Sequence, residues 1–142
     1  MKSMSRLVLG LATITLLASC GAKTITADEA VKISEGWSAV SVADTGYTKV
    51  VTEVNGEKDE VTGAIAVSTV AATIVTTNKA VVAAAASSSD VVFKSNGKDL
   101  ELSYSDKDGK TEYKINDYGL TTWSKVTDAD GKVTETKITW SK

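Results

Sequence analysis

The chain has 142 residues and a formal net charge of -2, which suits a single domain and lacks the basic excess that favours nucleic-acid binding. It contains no histidine and one cysteine, Cys20. Histidine is the commonest general base and metal ligand, and one cysteine cannot form an intramolecular disulfide. We therefore expect no enzyme activity, no metal, no cofactor and no nucleic-acid partner.

The first nineteen residues have the pattern of a secretory signal. Lys2 and Arg6 precede an uncharged run, 7–17, and the small residues Ala18 and Ser19 follow. At about 1.5 Å per residue the run extends about 17 Å, which is too short for a hydrocarbon core of about 30 Å. We expect removal of residues 1–19, which leaves 14 lysines against 18 acidic side chains and no arginine.

The tetrad Leu17-Ala18-Ser19-Cys20 resembles the lipobox of bacterial lipoproteins. The resemblance implies a diacylglycerol linked to Cys20 by a thioether, cleavage before Cys20, and acylation of the new amino group with a chain such as palmitate. Several acyl chains would bind a membrane durably, because each buried methylene contributes about 0.8 kcal/mol. A buried free thiol or an intermolecular disulfide is the alternative use of this cysteine.

The same resemblance implies a location and a partner. The partner is the membrane, contacted through the lipid anchor at Cys20, and the location is the bacterial cell envelope. If the envelope has two membranes, Gly21 after the cysteine, in place of aspartate, implies the outer membrane. Otherwise the outer face of the cell membrane is expected.

Residues 20–25 are predicted to form a lipidated tether, and residues 26–142 a single α+β domain. The stretch from Thr26 to Glu29 (TADE) has the pattern of a capping box, in which each of the two side chains accepts a hydrogen bond from the other residue's backbone amide. A helix is expected to begin there and to end near Gly36. The five residues 21–25 reach at most about 18 Å when fully extended, so the domain should lie close to the bilayer.

The middle of the chain contains a predicted strand and an ambiguous apolar segment. Residues 47–54 (YTKVVTEV) are rich in β-branched side chains and end at Asn55-Gly56, which predicts a strand and a tight turn. Residues 61–89 carry one charge, Lys79. Their β-branched residues favour a strand, whereas their apolar spacing favours a helix. We interpret the segment as a short strand followed by a helix. The alternatives are a strand throughout and a helix that spans a membrane.

The C-terminal third has glycine-containing turns at a spacing of ten to twelve residues, which is typical of an antiparallel β-meander. Apolar and polar side chains alternate between the turns, so one face of the sheet should be buried. The predicted strands lie near residues 91–95, 99–105, 110–116, 120–127 and 132–140. The expected fold is therefore α+β, with an N-terminal helix, an uncertain second helical segment and a meander of about five strands.

Two Asp-x-Asp-Gly motifs, residues 106–109 and 128–131, raise the question of calcium binding. A helix-loop-helix calcium loop would need a further oxygen ligand two residues before each motif and a glutamate six residues after each glycine. Those positions hold Tyr104 and Val126, then Ile115 and Lys137. We therefore interpret both motifs as hairpin turns, in which aspartate caps the turn and glycine permits a positive φ.

Trp123 is out of phase with the predicted strand around it. If Leu120 and Val126 point into the core, strict alternation places Trp123 on the opposite face, beside Thr121 and Lys125. An exposed tryptophan there could contact a ligand or a partner. A bulge, or a helix covering that face, is the alternative explanation.

The resemblance implies a membrane anchor, and the residues of the domain predict a non-catalytic binding or structural module with an unknown protein or apolar-ligand partner. The alternative function is a carrier of a lipid or other apolar ligand. In that case residues 61–86, with their small side chains, would line a cavity against the inner face of the sheet.

Overall fold

Eight strands and three helices form the part of the chain that the computed structural model describes, residues 22–142. In chain order they are β1 (Lys23–Ile25), α1 (Ala27–Glu35), α2 (Ala39–Ala43), β2 (Lys49–Val54), β3 (Glu57–Thr62), α3 (Ala64–Ala86), β4 (Val91–Ser95), β5 (Leu100–Asp106), β6 (Gly109–Ile115), β7 (Thr121–Asp128) and β8 (Val133–Ser141). The predicted signal segment, residues 1–19, and the predicted lipidation site, Cys20, lie outside the described residues.

All eight strands belong to one antiparallel sheet, in the order β1-β4-β5-β6-β7-β8-β2-β3. The mixed class of helices and an antiparallel sheet is confirmed, and β4 to β8 form the predicted meander. The expected count of about five strands is too low. The β2–β3 hairpin extends the sheet beyond β8, and β1 extends it beyond β4.

Strand β1 also shortens the segment interpreted as a tether. Lys23 lies opposite Ser95 and Ile25 lies opposite Phe93, so these residues are part of the sheet. Only Ala22 of the described residues precedes the first strand.

Helix α1 begins at the capping box, as predicted. The Thr26 hydroxyl accepts a hydrogen bond from the Glu29 amide at 3.1 Å, and the Glu29 carboxylate accepts one from the Thr26 amide at 3.0 Å. The helix ends at Glu35, immediately before Gly36. The next helix, α2, has five residues and begins after Ser38, whose hydroxyl accepts a hydrogen bond from the Val40 amide at 3.1 Å.

The ambiguous segment is a strand end followed by a long helix, in agreement with the preferred interpretation. Strand β3 ends at Thr62 and α3 extends from Ala64 to Ala86. By length and apolar composition alone, α3 could cross a membrane. A core helix passes the same test, and α3 buries one stripe of side chains at helical spacing. The buried residues of that stripe are Val67, Ala71, Val75, Asn78, Val82 and Ala85.

The three helices share one core with one face of the sheet, which we call the covered face. The core joins Ala30 of α1, Val42 of α2 and four residues of the α3 stripe to side chains from the strands; the four are Ala71, Val75, Val82 and Ala85. The buried strand and turn residues of this cluster are Phe93, Leu100, Leu102, Ile115 and Leu120. The side chains of the other face, the open face, are exposed or half-buried.

A polar contact inside the core fixes α3 on the sheet. The buried Asn78 amide nitrogen donates to the Gly119 carbonyl at 2.7 Å and to the Thr121 hydroxyl at 2.9 Å. The same hydroxyl donates back to the Asn78 carbonyl oxygen at 3.2 Å. Gly119 has φ +87° and lies so close to Trp37 that a Cβ atom there would be 2.8 Å from the Trp37 Cβ.

The two lateral edges of the sheet differ from its centre. Edge strand β3 begins with four consecutive charged residues, Glu57, Lys58, Asp59 and Glu60, all exposed. Lys49 of the neighbouring strand forms an ion pair with Glu60, at 2.8 Å between Nζ and Oε2. The opposite edge is β1, only three residues long. The short β1 therefore offers little backbone for further pairing, and the charged side chains of β3 oppose pairing at the other edge.

Candidate functional site

Trp123 lies on the open face of the sheet, as alternation predicts. The register between β6 and β7 shifts at Lys114 and Ile115, so that Lys114 lies opposite Trp123 while Ile115 lies opposite Thr121. This irregularity places Thr121 on the covered face, where it is 7 % exposed. The expectation that Thr121 lies beside Trp123 on one face is therefore wrong, because a bulge separates them.

A second side chain of this strand also departs from its expected environment. Val126 lies on the covered side by register, opposite Thr111, yet it is 40 % exposed. Leu120 is fully buried, as expected. The helices therefore cover one part of the inner face, and the end of the sheet near Val126 is left open.

The Trp123 ring has two specific neighbours. Its indole Nε1–H donates to the Glu135 carboxylate at 2.8 Å, and the Lys114 ammonium lies 5.4 Å from the ring centroid. A cation at that distance is attracted to the ring face. The polar edge of the ring and one of its faces are therefore engaged within the protein, and a ligand that stacks on that face of Trp123 would have to displace Lys114.

The open face carries a row of directly opposed residues that crosses seven strands. Opposite charges alternate along most of it, an arrangement that stabilises neighbouring strands. In spatial order the row contains Lys94, Glu101, Lys114, Trp123, Lys137, Glu53 and Lys58. A shallow groove of about 240 Å³ runs beside Trp123 and is bordered by Val92, Glu101 and Glu112.

The two Asp-x-Asp-Gly motifs form the predicted turns. The Asp106 carboxylate accepts from the Asp108 amide at 2.8 Å, and the Asp128 carboxylate accepts from the amides of Asp130 and Lys132, each at 2.9 Å. These aspartates act as side-chain caps of their own turns. Among residues 22–142 there is no group of three or more histidine, cysteine or acidic side chains that could hold a metal ion.

The end of α3 and the sheet enclose a cleft of about 310 Å³, which we call the helix-end cleft. Its walls are largely apolar, with Val81, Ala84 and Ala85 from α3 and Val91 and Tyr104 from the sheet. Ser88, Ser105, Asp90 and Asp106 complete the lining. A site of this volume lies at the lower end of the range that small-ligand pockets occupy, about 300 to 1,000 Å³.

A second cleft, of about 470 Å³, lies between α1 and the start of the sheet; we call it the N-terminal cleft. Lys23 and Ile25 of β1 form one wall, and Glu29, Lys32 and Ile33 of α1 form another. Ser95 at the end of β4, with Asn96 and Gly97 of the turn after it, completes the lining. Ile25 and Ile33 are half-buried, whereas Lys23 and Lys32 are exposed.

Neither cleft could be located from the sequence, because each one combines residues that are distant along the chain. The position of Asn78 did carry a signal, since an amide in a stripe of small apolar residues on α3 indicates a buried polar contact. No pattern around Trp37 indicates its burial. In the structure it is 2 % exposed, and its Nε1 has no hydrogen-bond partner among the described residues.

Comparisons of the chain with protein-family models, with curated proteins and with solved structures found no match.

Proposed function

We propose that this protein is a bacterial envelope lipoprotein, anchored through acyl chains on Cys20, whose folded part acts as a non-catalytic binding or structural module. The observation that carries the proposal is the tetrad Leu17-Ala18-Ser19-Cys20 after a charged start and an apolar run. The charged start, apolar run and small residues have the order of a secretory signal, and the tetrad resembles a lipobox.

The position of the first strand is compatible with cleavage before Cys20. Strand β1 begins at Lys23, and every residue of the core cluster lies downstream of it. Removal of residues 1–19 would therefore leave the core intact. Two residues, Gly21 and Ala22, then separate the modified cysteine from the sheet.

The open face supports the module part of the proposal. It displays charged side chains of both signs at fixed cross-strand positions, and the described helices pack in the core with the opposite face. Such a rigid, patterned surface suits recognition of another envelope component through complementary charges. Trp123 lies near the centre of this surface.

Metabolic labelling with an alkyne analogue of palmitate tests the anchor. We expect label on the protein made from the full chain, and no label on the Cys20→Ser variant, which should keep residues 1–19. Ser19→Ala is the matched control, because it changes the neighbouring residue but keeps a small side chain before the cysteine. An unlabelled wild-type protein, or a labelled Cys20→Ser variant, would overturn the proposal.

A carrier of an apolar ligand is the second candidate, and the helix-end cleft favours it. The cleft lies between α3 and the sheet, and its walls are mainly Val, Ala and Tyr side chains. The chain from Ala22 onward contains the whole core cluster, so it can be studied without detergent. Saturable binding of an environment-sensitive apolar dye would support the carrier.

One alanine lines the cleft and its neighbour does not. Ala84 and Ala83 are both exposed on α3, but only Ala84 is part of the helix-end cleft. In a carrier, Ala84→Phe should weaken dye binding at least tenfold, whereas Ala83→Phe should leave it unchanged. Equal effects of the two substitutions, or no saturable binding, would exclude this cleft as a carrier site.

A further inference from the structure

The N-terminal cleft lies where the described chain leads back to Cys20. Lys23 forms part of its wall, and Gly21 and Ala22 alone separate Lys23 from Cys20. Because three residues reach at most about 11 Å, the Lys23 Cα cannot lie further than that from the Cys20 Cα. Pairing of β1 with β4 fixes the direction in which the chain enters the sheet.

The limit of about 11 Å between the Cα atoms of Lys23 and Cys20 is comparable with the thickness of a phospholipid headgroup layer. The hydrocarbon core is about 30 Å thick and the whole bilayer about 40 to 45 Å, so each headgroup layer spans about 5 to 8 Å. With acyl chains of Cys20 in the hydrocarbon, the Cys20 backbone lies at the boundary of this layer. The long, flexible side chain of Lys23 then reaches the phosphates.

The cleft has the chemistry of a headgroup site. Lys23 of β1 and Lys32 of α1 come from two different elements and both line the cleft, while Ile25 and Ile33 supply an apolar lining. Glu29 is the one carboxylate in the lining, and its Oε1 accepts hydrogen bonds from the amide and the hydroxyl of Thr26. The lining of the cleft therefore has two positive charges and one negative charge, and the negative carboxylate is already hydrogen-bonded in the helix cap.

We propose that the N-terminal cleft is the membrane-contacting site of the anchored protein and that it binds the phosphate headgroup of an anionic phospholipid between Lys23 and Lys32. This inference rests on the proposed anchor at Cys20. It also orients the domain, since the turn that follows β4 shares the cleft and must face the bilayer. The turn between β5 and β6 then points away, about 20 Å distant along β5.

The single cysteine allows the orientation to be measured on a defined membrane. The chain beginning at Cys20, which contains the whole core cluster, is coupled through that thiol to a maleimide lipid in vesicles. One set of vesicles is phosphatidylcholine, and the other also contains phosphatidylglycerol. A water-soluble acetylating reagent then modifies exposed lysines, and mass spectrometry gives the rate at each one.

We expect Lys23 and Lys32 to be acetylated about fivefold more slowly on the phosphatidylglycerol vesicles than on the neutral ones, which corresponds to about 1 kcal/mol of attraction for each lysine. Lys107 and Lys132 lie in turns at the opposite end of the sheet and should react equally on both. Lys32→Gln should reduce the protection of Lys23, whereas the matched control Lys107→Gln should not.

Equal rates at Lys23 and Lys32 on the two vesicles would overturn the inference, even if both lysines were protected, because headgroup charge would then have no effect. Slowing of the same size at Lys107 and Lys132 would also overturn it, since it indicates general attraction. So would full protection of Lys23 in the Lys32→Gln variant. The thioether is supplied chemically, so none of these results depends on whether cells acylate Cys20, which palmitate labelling tests separately.

Discussion

Leu100 and Leu102 of β5 are almost fully buried beneath the helices, whereas Glu101 between them lies on the open face and is half-buried. The same contrast extends across the sheet. On the covered face the choice of residue follows from burial and close packing, and on the open face it follows from the charge of the residue opposite. The two faces should therefore respond very differently to the same kind of substitution.

The largest difference is expected for adjacent residues of β5. Leu100→Ala removes buried methyl groups from the core and should lower the free energy of unfolding by about 2 to 5 kcal/mol. Glu101→Ala should change it by less than about 0.5 kcal/mol, since no cavity forms. Urea unfolding of the two variants measures both values. Similar losses would mean that the open face is covered by another part of the protein.

The contact between Gly119 and Trp37 provides a second test of the covered face. Gly119→Ala forces a Cβ atom to within 2.8 Å of the Trp37 Cβ at a φ of +87°, and should cost about 2 to 4 kcal/mol. Gly131→Ala is the matched control, with φ +84° and open space around it, and should cost about 1 to 2 kcal/mol. If thermal unfolding shows no difference between them, the contact with Trp37 is not formed.

The polar contact of Asn78 should be worth less than a core leucine. Asn78→Leu leaves the Gly119 carbonyl and the Thr121 hydroxyl without their partner, and is expected to cost about 1 to 3 kcal/mol. Adding Thr121→Val removes one of the unsatisfied groups and should recover part of that loss. A double variant no more stable than Asn78→Leu alone would argue against direct coupling of the two side chains.

The smallest effect is expected at the exposed cap of α1. Thr26→Ala removes the N-cap hydroxyl and should cost about 1 kcal/mol, whereas Thr24→Ala, which touches no cap, should have little effect. Unfolding curves should show a lower stability for Thr26→Ala than for Thr24→Ala. Equal stabilities would show that the capping box contributes nothing measurable.

The same cap has a defined pH dependence. Hydrogen bonds from the amide and the hydroxyl of Thr26 lower the pKa of Glu29 below its ordinary value of 4.5. Its stabilising contribution is therefore full above pH 4.5 and is lost as the pH falls through the lowered pKa of the folded state. NMR titration of the Glu29 carboxyl should show this lowered pKa, and Thr26→Ala should return it towards 4.5.

The sequence predicts the elements whose signals are local. The capping box located the start of α1, and alternating residues between glycine turns located β4 to β8 within about two residues of their ends. Strand β3 had no such signal, because an edge strand of charged residues such as Glu57 and Asp59 shows no apolar alternation. Strand β1 is too short to display a period, and its pairing with β4 joins residues far apart in the chain.

The candidate site was predictable only in part. Alternation placed Trp123 on the open face, but its contacts with Lys114 and Glu135 depend on the pairing of three strands. The bulge beside Ile115 moved Thr121 to the other face, and no residue pattern marks that irregularity. The clefts likewise depend on how α1 and α3 pack, whereas the resemblance of the tetrad around Cys20 to a lipobox depends on adjacent residues alone.

The charged edge of β3 has a consequence for molecules held together on a surface. Anchoring confines proteins to two dimensions and raises the frequency of side-by-side encounters. A bare, apolar edge would then allow sheets of neighbouring molecules to join into a polymer, whereas the run from Glu57 to Glu60 carries three carboxylates and one lysine, and its charge opposes such growth. If the protein is anchored as proposed, even a dense layer of it should therefore resist edge-to-edge joining of the sheets.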